Sequence, residues 1–134
     1  MPRYFAATLA LSALIAAFAA PARAEDINSF RRAHHLPPLS LNSTLAALAY
    51  EQAHSMANRN HLDHNNYKER LGFSGGMHAE NVAWGCATED CAYRLWARSP
   101  GHRRNMLLRS VSAYGLASAT AANGRKYWAL ELGN

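Results

Sequence analysis

Val111-Ser112-Ala113-Tyr114-Gly115-Leu116-Ala117-Ser118-Ala119-Thr120, followed after a short break by Lys126-Tyr127-Trp128-Ala129-Leu130-Glu131-Leu132, is the stretch whose reading decides the fold. The two runs flank Asn123-Gly124, the dipeptide that favours a two-residue type I′ hairpin because both central residues there need positive φ. That loop pairs Ala119 with Trp128, Ala117 with Leu130 and Gly115 with Leu132, setting small side chains opposite large ones. A lone hairpin is marginal in water. It needs a third strand, for which the segment around Val82 is the candidate, and helices to cover its faces.

The helices lie upstream. Asp26, Ile27, Phe30 and Leu36 suggest a short helix stopped by Pro37-Pro38. Asn42-Ser43-Thr44 then open a long helix that runs to about Arg59, with Leu45, Leu48, Ala49, Gln52, Ala53 and Met56 on one stripe. The polar passage from Asn60 to Leu71 carries His61, Asp63 and His64, and is either a solvated connector or one wall of a site. Gly72, Gly75 and Gly76 mark turns. Met77 to Gly85 is extended, or a turn followed by a short helix; if extended, His78, Glu80 and Val82 share a face. Glu80 sits among alanine, valine and tryptophan, so it needs a partner or a raised pKa, and a salt bridge to Arg70 would satisfy it.

Thr88 is a natural N-cap for a helix that carries Glu89 and Asp90 in its first turn and Tyr93, Leu95 and Trp96 behind them. Arg98 leads directly into Ser99-Pro100-Gly101-His102-Arg103-Arg104-Asn105-Met106, where Ser99 is the expected cap and Pro100 suits the first helical position. His102 in that first turn is expected to be a neutral imidazole, able to accept a proton or hold a metal. Its structural alternative is a buried, hydrogen-bonded histidine.

At the other end, Arg3 precedes a largely apolar run from Tyr4 to Ala20 and then Ala22-Arg23-Ala24, the pattern of a secretory signal peptide over residues 1–24. As a helix that run would span about 25 Å, short of the ~30 Å hydrocarbon core, so no membrane span is expected after cleavage. The remaining 25–134 suit one domain with one modest core. The formal charge of +5 falls to +3 once Arg3 and Arg23 leave, and this small mixed excess does not argue for nucleic acid. Export to a secreted or periplasmic location favours a short-loop disulfide between Cys86 and Cys91 over free thiols.

Met56-Ala57-x4-Leu62-x-His64, Ala79-Glu80-Asn81-Val82-Ala83-x-Gly85, Trp96-x2-Ser99-Pro100-Gly101-His102-Arg103-x-Asn105-Met106 and Tyr127-Trp128, taken in order, resemble the CAP superfamily. This is the family of cysteine-rich secretory proteins, antigen 5 and pathogenesis-related 1 proteins, also called SCP domains, and the chain looks like a short bacterial-type member. The resemblance implies an α+β fold, a three-layer α-β-α sandwich with a small antiparallel sheet between helices, and an open cleft. Carried over residue by residue, the cleft histidines are His64 and His102 and the acid is Glu80. Larger members place a second glutamate three residues after the tryptophan, where this chain has Ser99. Asp63, His61 and His78 are the nearby residues that could complete the set.

Some members of the family bind zinc through the two histidines, so His64 and His102 are the expected metal ligands. Two imidazoles are a sparse set, since catalytic zinc normally takes three protein ligands. Two functions follow as expectations. One is an extracellular binding or interaction module for a lipid, peptide or glycan. The other is a metal-dependent hydrolase of a peptide or cell-wall substrate, with Glu80 as general base beside His64 and His102. No serine or cysteine nucleophile motif stands beside a histidine.

Overall fold

A computed structural model describes residues 25–71 and 78–134; the expected signal peptide and the glycine turns at 72, 75 and 76 lie outside these. The elements in chain order are α1 (Ile27–Ala33), β1 (Ser40–Leu41), α2 (Ser43–Arg59), α3 (Tyr67–Leu71), β2 (Ala79–Trp84), α4 (Glu89–Arg98), α5 (Pro100–Met106), β3 (Ala113–Thr120) and β4 (Lys126–Gly133). The strands form one sheet in the order β1-β3-β4-β2, antiparallel except for a short parallel β1–β3 pairing. The expected α-β-α sandwich is therefore what the chain builds.

Alternation along the strands decides which helix covers which face. Val82, Ala119, Tyr127 and Ala129 cluster with Ala49, Ala53, Met56 and Ala57 of α2. On the other side, Ala79, Ala83, Trp128, Leu130 and Leu132 pack against Ile27 and Phe30 of α1, Tyr93 and Trp96 of α4 and Met106 of α5. The stripe from Leu45 to Met56 is buried as expected. Leu95 instead stays exposed while Ala92 takes its place in the core. Gly115 shows how tightly α2 seats, because a Cβ there would lie 2.1 Å from the Ala46 nitrogen.

The hairpin register differs by one residue from the two-residue loop. Ala119 pairs with Tyr127, Ala117 with Ala129 and Gly115 with Glu131. The cause is the turn. Gly124 N–H donates to Ala121 O at 2.9 Å, and Ala121 N–H donates to Arg125 O at 2.8 Å, which makes a three-residue connection. Of the two central residues Gly124 is left-handed, at φ +82°, whereas Asn123 is not among the positive-φ residues, so the type I′ geometry is absent.

Caps set most helix ends. Asp26, Asn42 and Thr88 each accept from the backbone N–H three residues on. Ser99 occupies the N-cap position of α5, but its side chain makes no capping bond, contrary to expectation. The start of α5 rests instead on Pro100 and on the Arg103 N–H to Ser99 O bond at 2.8 Å. The expected disulfide between Cys86 and Cys91 is present and clips the loop from β2 into α4. Among the described residues, no helix is long and apolar enough to cross a membrane.

Candidate functional site

α2 ends where Asn60 turns left-handed, at φ +49°, and its amide oxygen accepts from the Tyr127 hydroxyl at 2.9 Å. The chain beyond is tied back to α2 by Gln52, whose buried amide donates to Asp63 O at 2.6 Å. This tether places His64 over the end of β2, where its Nδ1–H donates to Glu80 Oε1 at 2.7 Å. Arg70 of α3 donates to the other carboxylate oxygen, so both the anticipated salt bridge and the histidine contact exist at once. The Glu80 side chain is 1% exposed and that of His64 is 51% exposed.

The charges follow from this packing. Burial by itself would raise the Glu80 pKa, but the bonds to His64, Glu131 and Arg70 together outweigh it and hold the group ionised below its ordinary value. The same bond to Glu80 raises His64 above its ordinary value. His102 is lowered, first by burial and second by the nearby His64. Both effects favour the neutral imidazole.

His102 is fixed through its backbone. Its carbonyl accepts from Asn81 Nδ2 at 3.0 Å, and Asn105 Nδ2 donates to Asn81 Oδ1 at 2.9 Å and to Glu80 O at 3.3 Å. Two asparagines thus stitch α5 onto the edge of β2, which places Asn81 and Asn105 in structural roles. The Nδ1 atom of the His102 ring is buried and has no hydrogen-bond partner among the described residues.

A cleft of about 450 Å3 opens over this network, lined by His64, Tyr67, His78, Ala79, Glu80, Asn105 and Leu108. His102 is not among the lining residues. Of the three residues considered as completing the set, Asp63 is taken by Arg59 at 2.6 Å, whose hydrogen bond pulls its pKa down to about 2. His61 stands exposed at 3.9 Å from Asp63. His78 does join the cleft, and its Nε2 lies 2.6 Å from Glu131 Oε2.

Glu131 is the residue that sequence reasoning missed. It lies opposite Glu80 across the β2–β4 pairing and is fully buried. Its burial first, and Glu80 beside it second, push its pKa up to about 10. A lone charge in the middle of an apolar strand was the available signal, and only the β2–β4 pairing brings it opposite Glu80. Among the described residues there is no group of three or more histidine, cysteine or acidic side chains placed to hold a metal ion.

The sequence pattern of the Cysteine-rich secretory protein family, CAP, matches residues 24–132. The uncharacterized protein YkwD of Bacillus subtilis is 30% identical over 100 residues, covering 69% of this chain and 39% of that protein. The chain therefore spans about two fifths of the length of this curated relative. An outer surface protein of Borrelia burgdorferi superposes with a TM-score of 0.72 at 18% identity, over 81% of this chain and 86% of that one. An extracellular protein containing an SCP domain from Bacillus anthracis gives 0.70 at 24% identity, over 81% of this chain and 37% of that one.

Proposed function

This chain belongs to the Cysteine-rich secretory protein family, CAP, and from that premise we propose that it is an extracytoplasmic binding domain whose cleft holds a ligand without transforming it. The observation that carries this reading is the state of Glu80. Both of its oxygens are already engaged, one by His64 and one by the buried Arg70. To act as a general base it would have to release one of these partners, and its lowered pKa makes it a weak proton acceptor. It orients His64 instead. The apolar amino-terminal run, the disulfide, and the outer-surface and extracellular descriptions of two structural neighbours support the location.

A weakly held divalent ion such as zinc would find one pre-oriented ligand in the cleft, His64, with His102 the candidate second ligand although it lies outside the cleft lining. A carboxylate bound to Nδ1 fixes the tautomer in which Nε2 is the ligating nitrogen, and His64 and Glu80 form that pair. His102 supplies a neutral ring with an unpartnered buried nitrogen. A bound ion would add a Lewis-acid contact for a carbonyl or anionic group, while Tyr67, Ala79 and Leu108 offer apolar surface to a peptide, glycan or lipid.

Titration calorimetry with zinc on the parent, His64→Ala and His102→Ala tests the ion site. Uptake by the parent near neutral pH, release on acidification and weakened uptake in both variants are expected. Equal affinity in all three proteins would refute a shared site. Turnover of a peptide or peptidoglycan substrate that disappears in a folded Glu80→Gln variant would overturn the binding reading in favour of a metal-dependent hydrolase.

A further inference from the structure

Glu131 comes from the middle of β4, between Leu130 and Leu132, and faces Gly115 on one neighbouring strand and Glu80 on the other. Two carboxyl groups are thus packed together beneath the cleft. Among the described residues, Arg70 is the one arginine or lysine within 4.0 Å of either. Its Nη2 is committed to Glu80, while its Nε stands 3.9 Å from Glu131 Oε1, beyond hydrogen-bond reach. Glu80 also accepts a hydrogen bond from His64 Nδ1–H, so the available donors converge on Glu80. A second anion at Glu131 would be buried beside a like charge, with its nearby cation, Arg70, hydrogen-bonded to Glu80 instead, an arrangement that proteins relieve by binding a proton.

We propose that Glu131 is a neutral carboxylic acid in the folded protein, its proton on Oε1, a buried atom otherwise without a hydrogen-bond partner among the described residues, directed at the neighbouring Glu80, with Oε2 accepting from His78, and that it is the positioning residue for both walls of the cleft. Only its consequence for ligand binding rests on the reading of the cleft given above. The groups that face it are Glu80 from β2, His78 just before β2, and Arg70 and Tyr67 from α3. The Tyr67 hydroxyl donates to His78 O at 3.2 Å, so the same cluster fixes the aromatic wall. The elevation of the Glu131 pKa to about 10 and the lowering of His78 by burial agree with a neutral acid accepting from a neutral ring.

Infrared spectroscopy of the purified protein near neutral pH tests the proton. A protonated-carboxyl C=O band that shifts in heavy water and vanishes in Glu131→Gln is expected. A parent without that band, or a variant that keeps it, would overturn the proposal. Positioning is read from the 15N imidazole spectrum, where His78 should show a hydrogen-bonded Nε2–H. Glutamine presents a donor and an acceptor as the neutral acid does, so Glu131→Gln should retain that signal and Glu131→Leu should lose it. Loss in Glu131→Gln would refute the neutral acid even if the leucine variant fails to fold. Zinc affinity should be unchanged in Glu131→Gln and about tenfold weaker in Glu131→Leu. A parent that takes up no zinc would sink the ion site alone, leaving the infrared band to decide the state of Glu131.

Discussion

Replacing Arg70 with methionine removes the one arginine or lysine that, among the described residues, contacts the buried acid pair, while keeping a side chain of similar length. The Arg70 side chain is 10% exposed and that of Glu80 1%, so solvent screens their attraction little. Unit charges about 4 Å apart at an effective dielectric of about 20 attract by ~4 kcal/mol. Breaking a buried pair by deleting one partner costs roughly 3–5 kcal/mol. His64 stays bonded to Glu80 and takes up part of the charge, so Arg70→Met should lose about 3 kcal/mol, near the lower end.

The pH dependence sharpens this expectation. In the parent, Glu80 is held below its ordinary 4.5, so its contribution is present above that value and is lost as pH falls through the folded pKa. Without Arg70 the folded pKa rises, and acidification then relieves the variant by protonating the stranded carboxylate. The two proteins should therefore differ most near neutral pH and converge as the solution approaches the Glu80 titration. Urea unfolding followed by circular dichroism at pH about 7.5 and about 4.5 measures both quantities. A neutral-pH loss below about 1 kcal/mol, or a gap equal at the two pH values, would refute this account of the Glu80–Arg70 pair.

Gly115→Ala should be among the most damaging small substitutions, because its methyl would meet the backbone of α2 at 2.1–2.2 Å. A loss at or above the usual overpacking range of about 1–3 kcal/mol is expected in urea unfolding, and a neutral effect would show that α2 can lift from the sheet. Removing the disulfide with paired Cys86→Ala and Cys91→Ala substitutions should cost about 2 kcal/mol, since the closed loop is short. Intact mass before and after reduction and alkylation checks that the bond forms in the parent. Arg59→Ala should cost less than about 1 kcal/mol, because the pair with Asp63 is exposed to solvent. An NMR titration should then find the Asp63 carboxyl back toward its ordinary range.

Much of the architecture was legible because it rests on local chemistry. The periodic stripe of α2, its opening at Asn42 and its end near Arg59, and the N-cap at Thr88 each depend on residues within a few positions of one another. The disulfide needed only two cysteines close in sequence. The extended segment around Val82 was readable as a third strand, and it pairs with β4 as such. Ser99 marks the limit of this kind of inference, because a residue suited to capping sits at the cap position and makes no capping bond.

By itself, then, the sequence determined the order and kind of the principal elements, the buried face of the long helix and the candidacy of His64, Glu80 and His102. Only tertiary structure decided the hairpin register, the parallel β1–β3 pairing and the meeting of Glu80 with Arg70, His64 and Glu131. The register depended on whether Asn123 would adopt positive φ, and a one-residue slip changes the partner of every side chain along the strand. The acid pair depended on the β2–β4 pairing, which joins segments about fifty residues apart in the chain. Backbone preferences act over a few residues, whereas the protonation and contacts of Glu131 are set by groups that folding carries across the chain to a site closed to water.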